Sequence, residues 1–252
     1  MEMFEQARNQ GSDQIEAMEQ HLRKEEKNLS IMIRKQEKVL FVAFHLLMNL
    51  AEDLQIEKKM VNRGIIRLLI MMMERNNPDL LYIVLNFLKK LSIFGENKTE
   101  MKDYKIVDKL SRFVPCGHQL LLQIALRLIY NLTFDQEIRQ QIVECSMIPK
   151  FVEILKAPGF RALILKILYQ LSIEDKTKAS FTYTECLPLI YQLIIHCPEQ
   201  LVGKELVALA VNLTINPRNA ETLAADDQLQ ELIKRAKLHQ DILLFKVIKN
   251  IT

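Results

Sequence analysis

Tryptophan is absent from this chain of 252 residues, and glycine (6), proline (7) and cysteine (4) are scarce. Each shortage excludes something. Without indole rings, a groove that stacks the aliphatic stems of incoming lysines has no platform. Few glycines and prolines, with no convincing polar–apolar alternation, argue against a sheet of any size. Cys116, Cys145, Cys186 and Cys197 show no paired spacing, which reads as reduced thiols and not as a disulfide framework. No single sign of charge dominates either: the formal net charge is +3, with bases and acids interleaved, so nucleic acid is not the expected ligand. No apolar run reaches the roughly 18 to 20 residues that span a bilayer, so membrane insertion is not expected, and the amino terminus has no signal-peptide core.

What the chain does have is a repeat. Six helix-like runs close on one short pattern: Leu46–Ala51, Phe87–Ser92, Leu128–Thr133, Ile167–Ser172, Leu209–Thr214 and Val247–Thr252. The closing apolar residues fall at 50→91→132→171→213→251, in steps of 41, 41, 39, 42 and 38. Taking that residue as zero, positions −3, −4 and −7 are apolar in all six units, one stripe of a 3.6-residue helix. Positions +10, +16 and +19 hold Met60/Ile66/Leu69, Met101/Val107/Leu110, Ile142/Ile148/Phe151, Phe181/Leu187/Ile190 and Leu223/Leu229/Leu232. They predict two further helices per unit. Periods in the low forties with three helices point to an all-α, right-handed armadillo-repeat solenoid of about five full repeats plus a partial one.

Punctuation agrees. Pro149 and Pro188 fall where second helices begin, Asn77-Pro78 and Ala157-Pro158 precede third helices, and Asn216-Pro217 opens a first helix. Gly64 sits at the sharp corner between first and second helices, which favours positive φ. Lys105, Ser146, Glu185 and Asp227 occupy that corner elsewhere, so those corners are expected to be less ideal or differently built.

The front of the chain differs. Residues 1–13 are polar, contain Gly11-Ser12-Asp13, and are expected to be a disordered leader; residues 14–252 form the repeat domain. A long charged helix over residues 15–50 is predicted to lead into the repeats, either as a solvated cap or as a short partner-binding or coiled-coil segment. Because the closing signature at Asn250-Ile251-Thr252 lacks downstream helices, the chain is expected to be part of a longer protein.

Catalysis lacks its parts. Cys116-Gly117-His118 and His196-Cys197 each supply two candidate ligands without a second pair, and no phosphate loop, nucleophile elbow or zinc-protease motif occurs. No enzyme activity, metal or cofactor is expected. A polar ladder does recur just before each closing residue: Asn49, Lys90, Asn131, Gln170, Asn212 and Asn250. A primary amide offers both donor and acceptor to a peptide backbone, so a row spaced by one repeat can track an extended chain; the alternative is that each amide bonds locally at its helix end. One turn earlier stand His45, Asn86, Arg127, Lys166, Ala208 and Lys246. With Lys90 they make the central groove positive, suited to an acidic or phosphorylated segment. Met71 is an apolar residue at an outward position, a candidate docking patch.

Several stretches carry a resemblance: Lys35–Leu40, Leu46–Asp53, Phe87–Phe94 with Glu96-Asn97-Lys98, Ala125–Leu132, Phe181–Pro188 and Lys234-Arg235-Ala236. They resemble the central armadillo region of kinesin-associated protein, the non-motor subunit family of heterotrimeric kinesin-II, over roughly residues 34–252. That resemblance implies an adaptor that binds the C-terminal tails of two motor subunits and links them to cargo adaptor proteins. It implies microtubule-based transport, including intraflagellar transport, in the cytoplasm and cilium. The remaining reading is a generic armadillo scaffold recognising an acidic extended segment of another partner.

Overall fold

The computed structural model describes residues 2–225 and 227–252, with side chains from residue 18 onward and no strand among them. The chain divides into two compact units, residues 1–57 and 58–252. The first contains α1 (Glu2–Leu50) and the opening turn of α2 (Leu54–Val61). Helix α1 runs without a break through Gly11-Ser12-Asp13; the leader expected over residues 1–13 falls where side chains lie outside the described residues.

The second unit continues from α2 into a three-helix rhythm. Its helices are α3 (Ile65–Met72), α4 (Pro78–Leu91), α5 (Gly95–Asp103), α6 (Ile106–Leu110), α7 (Gln119–Leu132), α8 (Gln136–Glu144), α9 (Met147–Leu155), α10 (Pro158–Leu171), α11 (Asp175–Lys178), α12 (Cys186–Ile195), α13 (Lys204–Thr214), α14 (Pro217–Ala224), α15 (Gln228–His239) and α16 (Ile242–Ile251). Short 3-10 turns extend α6 and α11. The third helices α4, α7, α10, α13 and α16 stack each on the next and carry the core.

The predicted stripe is buried in each of them, save for the closing Ile251 of α16, which is half-buried. Leu91, Leu88, Phe87 and Val84 are sealed in α4, and Leu171, Leu168, Ile167 and Ile164 in α10. Met101, Val107, Leu110, Ile142, Ile148, Phe151, Phe181, Leu187 and Ile190 from the first and second helices close the same interior. At roughly 2 kcal/mol for each fully buried Leu, Ile or Phe side chain, this repeated stripe is the main favourable term. Pro78, Pro158 and Pro217 occupy the first helical turn, and the Asn77 and Asn216 side chains accept from the N–H groups that follow.

Two expectations need correction or refinement. In the first closure Leu46 and Leu50 are 60% and 52% exposed, not buried like their counterparts. The reason is that the preceding stretch continues as the same 49-residue helix. It supplies no first and second helices to cover that stripe. The corners divide into two kinds. Gly64 is left-handed at φ 78°, and Lys105 and Ser146 adopt the same conformation at φ 54° and 53° despite carrying side chains. Glu185 and Asp227 do not, with φ of −70° and −86°, so their corners are built differently.

A recurrent cap was legible in the repeat but not anticipated. Six residues past the closing position, Asn97 Nδ2 donates to the Leu91 carbonyl at 2.9 Å and Asn219 Nδ2 to the Leu213 carbonyl at 3.0 Å. The Thr177 hydroxyl donates to the Leu171 carbonyl in the same way. Each brings a side-chain donor to a carbonyl at the end of a third helix, where the regular i+4 helical partner is missing. Where Ile138 stands instead, the adjacent Arg139 reaches the Thr133 carbonyl at 2.9 Å.

Candidate peptide-binding groove

The ladder residues of the second unit sit on consecutive third helices, and the structure assigns their amides a specific task. Asn131 Nδ2 donates to the Lys89 carbonyl at 3.2 Å and to Ser92 Oγ at 3.0 Å, both on the preceding repeat. Asn250 repeats the geometry with the Val211 carbonyl and Thr214 Oγ1, each at 3.1 Å. Asn212 donates to Ser172 Oγ at 3.2 Å. The closing Ser or Thr is held in turn by its own helix end: Ser92, Thr133 and Ser172 donate to the carbonyls of Lys89, Tyr130 and Tyr169. An amide has two N–H donors, and in Asn131 and Asn250 both are engaged between repeats. What remains for a ligand is Oδ1, an acceptor for backbone N–H groups. The side-chain amide of Gln170 makes no hydrogen bond among the described residues, and the residue is half-buried. Lys90 is half-buried and not a free cation. Asn49 is exposed near the end of α1, in the first unit.

The cations behave differently. Arg127 on α7, Lys166 on α10 and Lys246 on α16 are exposed and make no ion pair among the described residues. Lys166 and Gln170 converge on a cavity of about 300 Å³, lined also by Tyr130, Tyr169, Lys204, Glu205 and Ala208. Lys204, the first residue of α13, is likewise unpaired there. Two lysines, two tyrosines and a glutamine thus line one hollow, with a single glutamate among them. A lining of this kind has the chemistry to pair with an anionic side chain and to pack its apolar stem on tyrosine rings.

The tyrosines were missed from sequence, although Tyr130 and Tyr169 share one repeat position. A second row was missed too. Ile93, Phe134, Ile173 and Ile215 stand two residues past the closing position in four successive repeats, 45% to 67% exposed. Tyr130 and Phe134 meet edge to face at 5.3 Å between ring centroids, and Lys98 Nζ lies 5.7 Å from the Phe134 ring. A recurring exposed apolar row beside a polar ladder offers side-chain contacts along an extended guest. Met71 is exposed as its register predicts, whereas Met73 beside it is fully buried.

Elsewhere the nucleophile and ligand candidates have structural tasks. His118 Nδ1 accepts from Leu121 N at 3.4 Å to cap α7, and Cys116 Sγ donates to the His118 carbonyl. Cys197 Sγ donates to the Glu199 carboxylate at 3.0 Å. Burial pushes the Cys186 thiol up to about 12, and burial with the adjacent Asp108 carboxylate pushes Cys145 up to about 11. Such thiols are poor nucleophiles at neutral pH. Among the described residues no three His, Cys, Asp or Glu side chains are grouped to hold a metal ion, and no helix is long and apolar enough to cross a membrane.

The family model for kinesin-associated protein matches residues 2–252. The chain belongs to the kinesin-associated protein family. Solved structures agree on the architecture. A designed armadillo repeat protein in complex with a (KR)4 peptide superposes at TM-score 0.69 with 14% identity, over 83% of this chain and 92% of that one. The armadillo-repeats-only protein from Plasmodium falciparum gives 0.63 with 10% identity, over 77% and 95%. An engineered protein gives 0.70 with 15% identity over 83% of this chain; the chain spans 53% of that protein's length. The fold is an armadillo-repeat solenoid.

Proposed function

We propose that the chain is a non-catalytic adaptor of a heterotrimeric kinesin, taking an acidic extended segment of the motor-subunit tails along its third helices. Membership of the kinesin-associated protein family supports kinesin partners and an association with the cytoskeleton. The observation that carries the binding mode is the cavity where unpaired Lys166 and Lys204 face Tyr130 and Tyr169. A designed relative of the same fold takes a (KR)4 peptide; here the free groove cations call for a ligand of the opposite sign. Arg127, Lys166 and Lys246 supply the attraction, and Asn131, Asn212 and Asn250 offer acceptors to the guest backbone. Gln170, whose amide has no protein partner, offers both donor and acceptor. Asn49 and Lys90 are the weaker members, one in the other unit and the other already engaged. Cargo adaptor proteins are the second partner class, and intraflagellar transport in the cilium is the setting proposed.

The test is a pull-down and titration against the two motor tails, with an unrelated acidic peptide as control. Arg127→Glu combined with Lys166→Glu should weaken tail binding on the order of tenfold or more, with an unchanged far-UV spectrum and melting curve. Unchanged affinity would place the tails on another surface. Equal capture of the unrelated peptide would reduce the protein to a generic acidic-peptide scaffold.

A further inference from the structure

Helix α1 carries an apolar seam of its own. From Met18 the residues spaced alternately by four and three are Met18, Leu22, Glu25, Leu29, Met32, Gln36, Val39, Ala43, Leu46 and Leu50. That alternation is the seam of a coiled coil, where knobs of one helix enter holes of another. It spans about 50 Å at 1.5 Å per residue, with Glu25 and Gln36 as polar interruptions. Seven of its side chains, Met18, Leu22, Leu29, Met32, Val39, Leu46 and Leu50, are 52% to 70% exposed. At roughly 100 Å² each they present on the order of 700 Å² of apolar surface, close to the ~800 Å² per partner of a stable interface.

The charges beside the seam decide what covers it. Along one edge stand His21, Lys24, Lys35 and Lys38, all exposed, and the three lysines make no ion pair among the described residues. The other edge carries Glu19 and Glu26, with Glu19 already paired to Arg23 at 3.6 Å. A second copy fits badly in either direction. Antiparallel helices meet with like edges together, so the lysine edge would face itself. Parallel helices would bring Glu25 against its twin inside the seam. Like charges so placed are destabilising, and more so when desolvated.

We propose that the α1 seam docks a helix of a different protein, one with its own heptad seam and an acidic edge opposite Lys24, Lys35 and Lys38. A basic side chain on that helix meets Glu25. The proposal rests on α1 alone and stands or falls without the proposed groove.

The full 252-residue chain can be tested with two synthetic four-heptad helices that share leucine seams, one edged with glutamates and the other with lysines. The chain alone should run as a monomer in light scattering at micromolar concentration. The glutamate-edged helix should bind at least tenfold tighter than the lysine-edged one, and Lys35→Glu with Lys38→Glu should reverse that order. Leu29→Glu with Met32→Glu should abolish both while far-UV dichroism keeps its helical signal. Self-association removed by the Leu29/Met32 variant would replace the foreign helix by a second copy and overturn the proposal. So would equal affinity for the two probes, or binding to neither.

Discussion

Acidifying a single ladder amide separates its structural work from its work on a ligand. Asn131→Asp preserves size and Oδ1 but replaces Nδ2, which donates to the Lys89 carbonyl and Ser92 Oγ, with an oxygen that cannot donate. Two hydrogen bonds at about 1 kcal/mol each are lost, and a carboxylate oxygen is pressed against a carbonyl, for a cost of about 2 kcal/mol. Gln170→Glu is the internal control. It occupies the same ladder position one repeat on, adds the same charge, and removes an amide with no protein partner; its cost should stay within about 0.5 kcal/mol. Urea denaturation followed by far-UV dichroism measures both, with the slope monitored because stacked repeats can lose cooperativity. Both variants place a negative charge in the groove, so both should weaken acidic tail binding by similar factors. If Asn131→Asp and Gln170→Glu proved equally neutral, the inter-repeat clasp would have no energetic meaning. If Asn131→Asp were destabilising yet bound tails like wild type, the amide row would be structural only.

Further outcomes follow from the same geometry. Lys105→Gly and Ser146→Gly relieve left-handed backbone and should each raise stability by about 0.5 to 1 kcal/mol, whereas Glu185→Gly, at φ −70°, should lower it; thermal melts distinguish the signs. Asn219 is fully buried and donates to both the Lys178 and Leu213 carbonyls, so Asn219→Ala should cost about 2 to 3 kcal/mol in urea. Burial raises the Cys186 thiol from 9.0 to about 12, so above pH 9 the unfolded chain loses this proton before the folded one does. The contribution is intact below pH 9 and declines as pH climbs toward 12. Urea midpoints at pH 8 and pH 10.5 should therefore diverge less in Cys186→Ala than in wild type, and equal divergence would contradict the burial argument.

The third-helix stripe and its partners at +10, +16 and +19 were legible because five repeats state the same helical period independently. The stripe of α1 misled for a physical reason. Apolar spacing reports what a helix can bury, not whether anything covers it, and Leu46 and Leu50 remain bare. The corners at Lys105 and Ser146 were hidden because neither residue type favours positive φ, which both adopt. The partners of Asn131 lie 39 and 42 residues upstream, so the amide's spacing marked a groove while its bonds needed the fold. The caps at Asn97, Thr177 and Asn219, and the apolar row at Ile93, Phe134, Ile173 and Ile215, were present in the repeat columns all along. Columns of exposed or polar residues draw less notice than a core stripe.

Site-directed photocrosslinking tests the central claim most directly. A benzophenone side chain in place of Tyr169, which lines the third-helix cavity, should crosslink a bound motor tail. The same group in place of Gln192, which lines a cavity between second helices α12 and α15, should not. Crosslinks from position 192 with none from 169 would contradict a guest lying along the third helices.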